Sequence, residues 1–134
     1  MSARADASAV RQALRRIAQQ LGRQVEAAQE VRANVMAASL SRTHKVCGRP
    51  NCKCAEGEKH EVYQLSWIDN GRRRSTHIRK GDLARVRAAV ESYRHLRQCR
   101  AELLKLASEA ASLIDALVEA LQVMPPDKRE GPNG

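Results

Sequence analysis

The chain predicts a mainly α fold: two long antiparallel helices forming a coiled-coil stalk, with a Cys/His knuckle and a two-stranded β-hairpin at the tip. Three observations carry that expectation. Apolar residues recur at alternating four- and three-residue steps in both the N-terminal and the C-terminal third of the 134 residues. Three of the four cysteines fall between positions 47 and 54. A β-rich run then meets Asn70-Gly71 and a basic return segment. Composition agrees, since Phe is absent and Trp67, Tyr63 and Tyr93 are the only rings, which leaves little for a thick core. Ala, Leu, Arg, Glu and Gln dominate, and these are strong helix formers.

The first long helix is expected over residues 1–43. Val10, Leu14, Ile17, Leu21, Ala28, Val31, Val35 and Ala38 follow the heptad rhythm, with Gln24 the polar occupant of the seam. Gly22 weakens this helix by about 1 kcal/mol relative to Ala. Ser39, Ser41 and Thr43 begin the exit, and Pro50 forbids continuation.

The knuckle is expected over 44–61 and the basic hairpin over 62–80. Val62 to Ile68 alternates and is rich in β formers. Asn-Gly suits a type I′ turn, which needs positive φ at both central residues. With that turn, Asp69 pairs with Arg72, Trp67 with Arg74, Leu65 with Thr76 and Tyr63 with Ile78. Tyr63, Leu65, Trp67, Arg74, Thr76 and Ile78 then share one face, and Arg74 can stack on Trp67. Gln64, Ser66, Ile68, Arg73, Ser75, His77 and Arg79 share the other, a polar and cationic ribbon.

The second helix is expected over 81–124, with Asp82 as N-cap and an end before Pro125-Pro126. Its stripe runs Leu83, Val86, Val90, Tyr93, Leu96, Cys99, Leu103, Leu106, Ala110, Leu113, Leu117 and Ala120. Two consecutive steps of three, Tyr93 to Leu96 to Cys99, form a stammer. Residues 125–134 read as a disordered tail. Val25, Leu40, Leu104 and Ile114 lie beside the main seams and widen the apolar face, so a homodimer through the helical stalk is expected.

Charge is unevenly spread on a chain of net charge +9. Residues 42–100 hold fifteen Lys/Arg against six acids, whereas residues 101–134 hold three against six. A basic surface of this kind attracts polyanions by releasing their counterions. No apolar run of about 18 residues is present to span a membrane. The N-terminus lacks a signal-peptide centre, so the expectation is a cytoplasmic protein, nucleoid-associated if it binds DNA.

The spacing C-x4-C-x-C-x5-H over Cys47, Cys52, Cys54 and His60 supplies the ligand set of a closed tetrahedral zinc site. Zinc stabilises thiolates at neutral pH, and clustered cysteines in a reducing compartment bind metal more often than they form disulfides. His44 is the alternative fourth ligand. A free-thiol turn, or a disulfide from Cys47 to Cys52 or Cys54, is the competing reading. Cys99, alone on the helical stripe, reads as a small core residue. Arg72, Arg73, Arg74, His77, Arg79 and Lys80, with Arg49 and Lys53 in the knuckle, are the candidate nucleic-acid contacts. A two-stranded ribbon fits a DNA major groove, and Arg pairs with phosphate or guanine edges. The same arginines can instead serve as an edge defence against aggregation. No Ser/His/Asp, paired-carboxylate, phosphate-loop or H-E-x-x-H constellation is present, so the expected role is non-enzymatic.

The stretch from Cys47 to Leu103 resembles an uncharacterised bacterial family. Its signature is a C-G-x-P-x-C-x-C knuckle, then G-x-x-H, a tyrosine-bearing strand, an Arg-rich return strand and a helix opening D-L-x-x-V. Here these are Cys47-Gly48, Pro50, Cys52, Cys54, Gly57, His60, Tyr63, Arg72 to Arg79, Asp82-Leu83 and Val86. The resemblance implies a place near transposases and recombinases of mobile elements, and hence an accessory role in DNA recombination or transposition. The expectation is therefore a DNA-binding accessory protein carrying one Zn2+ per chain. Two other readings stand beside it: a coiled-coil adaptor whose basic tip meets an acidic protein, and an RNA-binding protein.

Overall fold

The computed structural model describes residues 3–45 and 60–126. Element order is α1 (Ala3–Gln29), β1 (Ser39–Lys45), β2 (His60–Asp69), β3 (Arg72–Ile78) and α2 (Lys80–Leu121). The fold is mainly α, as expected, but the hairpin is not the whole sheet. The three strands form one antiparallel meander in the order β1-β2-β3. The chain divides into two compact units, one of residues 1–27 and 99–134, the other of residues 28–98.

In the first unit, α1 contributes an apolar stripe on which Ala7 and Ile17 are buried. Val10, Leu14, Leu21 and Gln24 on the same stripe are half-buried. The C-terminal part of α2 contributes Cys99 and Leu106, each 3% exposed, as the heptad spacing requires. Ala13, Ile17 and Gln20 of α1 share a groove of about 490 Å³ with Ser108, Ser112 and Leu113 of α2.

The second unit corrects the expected long first helix. α1 stops at Gln29 instead of running to 43, and its last turn tightens, Val31 N donating to Ala28 O at 3.2 Å. Residues 39–45 read Ser-Leu-Ser-Arg-Thr-His-Lys, which are mostly weak helix formers. Their competing option is a strand beside β2, which puts Leu40 against Leu65. The connecting segment is pinned to α2 by Met36 N donating to Ala89 O at 3.0 Å. Met36, Ala38 and Leu40 thereby pack on the core of Leu65, Val86 and Val90, with Trp67 and Ile78 beside them. Burying a Leu or Val side chain contributes about 1.5–3 kcal/mol. That gain outweighs helix propensity, which for ordinary residues differs by no more than about 0.7 kcal/mol each. Leu40 accordingly belongs to this core and not to a stalk seam.

The β2–β3 register is the one an Asn-Gly turn dictates: Asp69 meets Arg72, Trp67 meets Arg74 and Tyr63 meets Ile78. Asn70 and Gly71 have φ of 50° and 80°, the left-handed pair of a type I′ turn. α2 begins at Lys80, so Asp82 sits in its first turn and is not the N-cap. There its charge favours the helix dipole, and Arg85 pairs with it at 3.4 Å. α2 ends at Leu121, before Pro125. Every stripe position from Leu83 to Ala120 is buried or half-buried.

Candidate nucleic-acid interface

Cross-strand partners project to the same side of a sheet and alternate along each strand, so the two registers sort the side chains between two faces. The inner face carries Leu40 and Arg42 from β1, then Glu61, Tyr63, Leu65, Trp67 and Asp69 from β2, then Arg72, Arg74, Thr76 and Ile78 from β3. The outer face carries Ser39, Ser41 and Thr43, then Val62, Gln64, Ser66 and Ile68, then Arg73, Ser75 and His77.

Charge is divided between these faces. Both carboxylates of the sheet lie on the inner one, where each meets an arginine. Arg74 Nε lies 3.0 Å from Asp69 Oδ2. Arg42 Nη1 lies 3.7 Å from Glu61 Oε1, and Tyr63 Oη donates to Glu61 Oε2 at 3.2 Å. The guanidinium of Arg87 on α2 sits 5.6 Å from the centre of the Tyr63 ring. Arg74 therefore turns to Asp69, and the cation–π contact forms at Tyr63 in place of the expected Arg74–Trp67 stack.

No carboxylate stands among the outer-face positions just named. They offer hydroxyls, an amide, Arg73 and His77, and Arg73 and His77 are exposed. Ser41 Oγ donates to Gln64 O at 3.3 Å, which braces β1 on β2. Ile68 is 68% exposed, and with Arg73 and Tyr93 it lines a groove of about 510 Å³. Arg72 flanks the turn, Arg79 lies in the one-residue-wide link between β3 and α2, and Lys80 opens α2; all three are exposed. Arg79 is thus outside the strand whose face it was expected to share. Ser39, Ser41 and Thr43 were missed because β1 read as the end of a helix. Their period-two alternation with Leu40 and Arg42 was the available signal.

Of the expected metal ligands, Cys47, Cys52 and Cys54 lie outside the described residues, as do Arg49 and Lys53. His60 is the first residue of β2, and its Cα partner is Lys45, the last residue of β1. The alternative ligand His44 pairs with Glu61 one step further in. The two ends of the cysteine-bearing segment are therefore brought together by adjacent strands. Among the described residues, no group of three or more His, Cys, Asp or Glu could hold a metal ion. No helix among them is long and apolar enough to cross a membrane.

A family model for a domain of unknown function (DUF6788) matches residues 8–88. The chain belongs to this family. The DUF6788 span takes in most of α1, all three strands and the opening of α2, so it contains both faces of the sheet. Neither the curated proteins nor the solved structures yield a match to the chain.

Proposed function

We propose that the chain is a non-enzymatic DNA-binding protein that lays the outer face of its three-stranded sheet, and the adjoining turn, against the phosphate backbone. The observation that carries this reading is the division of charge: the carboxylates of the sheet are held by arginines on the inner face, and the outer face keeps Arg73 and His77 among hydroxyls. A polyanion approaching that face meets cations and hydrogen-bond donors with no opposing acid among the described sheet residues. Arg72, Arg79 and Lys80 add positive charge at the two ends of β3. Contacts of this kind go to phosphate oxygens, which position a protein without specifying sequence.

In the same reading Cys47, Cys52, Cys54 and His60 hold one zinc ion. Three thiolates and an imidazole are a complete structural donor set, and the Lys45–His60 pairing brings the ends of that ligand run together. Zinc so bound would supply a fixed, electropositive cross-link and no open coordination position for chemistry. Arg49 and Lys53 would extend the cationic surface. The resemblance to families near transposases and recombinases makes such an enzyme the expected protein partner in DNA recombination or transposition.

The test is fluorescence anisotropy of a random-sequence duplex titrated with purified protein across a salt series, with zinc measured on the same sample. Binding should weaken steeply with salt, and Arg73→Ala should reduce the slope of log K against log salt by about 0.9. Absence of binding at low salt would overturn the reading and move the function to an adaptor for an acidic protein. Tighter binding to single-stranded or duplex RNA than to DNA would reassign the polyanion.

A further inference from the structure

The three strands do not end level. β1 begins at Ser39, whose partner is Ser66, so Trp67, Ile68 and Asp69 pair with β3 alone. At that step the sheet narrows from three strands to two beside the Asn70-Gly71 turn. The chain approaches β1 through Ala37 and Ala38, whose methyl groups add little bulk there. The groove of about 510 Å³ lies at this step, where Ile68 and Arg73 share it with Ser39, Ser66, Trp67 and Tyr93. All of these residues belong to the second unit. The volume falls within the range of about 300–1,000 Å³ that is usual for small-molecule pockets.

The lining narrows the choice of occupant. The chain has three aromatic rings, and two of them, Trp67 and Tyr93, line this one groove. Both are half-buried, and Trp67 also packs on the Leu65, Val86 and Val90 core, which holds it in place. The third ring, Tyr63, is engaged by Arg87 and Glu61. Ile68, 68% exposed, adds an aliphatic wall. Arg73 is the charged residue of the lining, and among the described residues no carboxylate lines the groove. Ser39 and Ser66 add hydroxyls that both donate and accept.

A flat ring joined to a phosphate uses every part of this lining: the rings for stacking, the hydroxyls for polar edges and the guanidinium for the phosphate. Bases of any identity stack on aromatic side chains, because each has a π-face. A base within a duplex is already stacked and paired, so an unpaired one enters at a much smaller cost. An apolar peptide side chain would use the rings and leave Arg73 and the hydroxyls without a role.

We infer that the groove takes one unpaired base of a DNA strand, with the adjoining phosphate on Arg73. The inference rests on the reading of the outer face as a DNA surface. It adds a preference for DNA with an interrupted stack over continuous duplex. Arg73 joins the two sites, since it stands on the outer face and borders the groove.

Trp67 is the single tryptophan of the chain, so its emission reports on the groove directly. The experiment titrates the full chain with three duplexes at one salt concentration. One is fully paired, one carries a single unpaired thymine, and one has an abasic site in place of that thymine. Anisotropy of labelled DNA gives affinity, and tryptophan emission with unlabelled DNA gives occupancy of the groove. The thymine bulge should bind about 10-fold more tightly than either other duplex and quench Trp67. Tyr93→Leu, which keeps an apolar residue on the α2 stripe, should remove that preference while affinity for the paired duplex stays at the wild-type level. Circular dichroism checks its helix content, and Ile68→Ala, at an exposed position, should reduce the preference in the same direction. Equal affinity for the thymine and abasic bulges overturns the inference, as does Trp67 emission that the thymine bulge leaves unchanged. Salt-dependent binding of the paired duplex would then still uphold the backbone reading. Absence of binding to all three duplexes overturns both.

Discussion

At the scale of single residues, the sheet sets paired charge apart from the charge proposed to meet DNA. Arg73 and Arg74 are neighbours in sequence, yet they stand on opposite faces, and Arg74 is held 3.0 Å from Asp69. Both members of that pair are about half exposed, so the contact is worth no more than about 0.5–1 kcal/mol. Arg74→Ala should therefore lower stability by that amount in urea unfolding and leave the salt slope of DNA binding nearer to wild type than Arg73→Ala does. Equal slopes for the two variants would show that the division of faces does not govern binding. Gly71, with φ of 80°, is the position where a side chain is least welcome. Gly71→Ala should cost about 1–2 kcal/mol from backbone strain alone, since no atom lies within 4 Å of the added Cβ. Leu65, 7% exposed at the middle of β2, is the hub of the second unit. Leu65→Ala should cost about 2–5 kcal/mol by the same measurement.

Among the elements, those with a strong local rule were legible in the sequence and the one decided by distant contacts was not. Asn-Gly set the β2–β3 register, and the α2 stripe marked its buried face along the whole helix. The end of α1 was not legible, because Val31, Val35 and Ala38 continue the heptad spacing that the helix abandons at Gln29. What overrides that spacing is a docking site made by Leu65, Val86 and Val90, residues that lie 25 or more positions further along. The outer face of the sheet was half legible for the same reason: β3 announced Arg73 and His77, and β1 hid its hydroxyls. Val35→Pro tests the revised boundary. Within a helix to residue 43 it would break the element at a cost of about 3 kcal/mol. With α1 ending at Gln29, helix content by circular dichroism should stay at the wild-type level. The stammer at Tyr93 to Cys99 falls where α2 passes from one unit to the other, since Gln98 belongs to the second unit and Cys99 to the first. The change of rhythm thus accompanies a change of packing partner along one unbroken helix.

At the scale of the whole molecule, the two units draw stability from different residues, so metal and helix stability should be separable. Cys52→Ser with Cys54→Ser should abolish zinc in elemental analysis and leave most of the helical circular dichroism. Collapse of the helical signal on zinc loss would contradict that separation. The Lys45–His60 pairing carries one more consequence. It fixes both ends of the intervening segment in a ladder that the sheet already supports, and loop closure grows only slowly with length, by about 0.6 kcal/mol for each doubling. Lengthening the segment between β1 and β2 should therefore cost little stability in urea unfolding and leave the meander, its register and its two faces as they are.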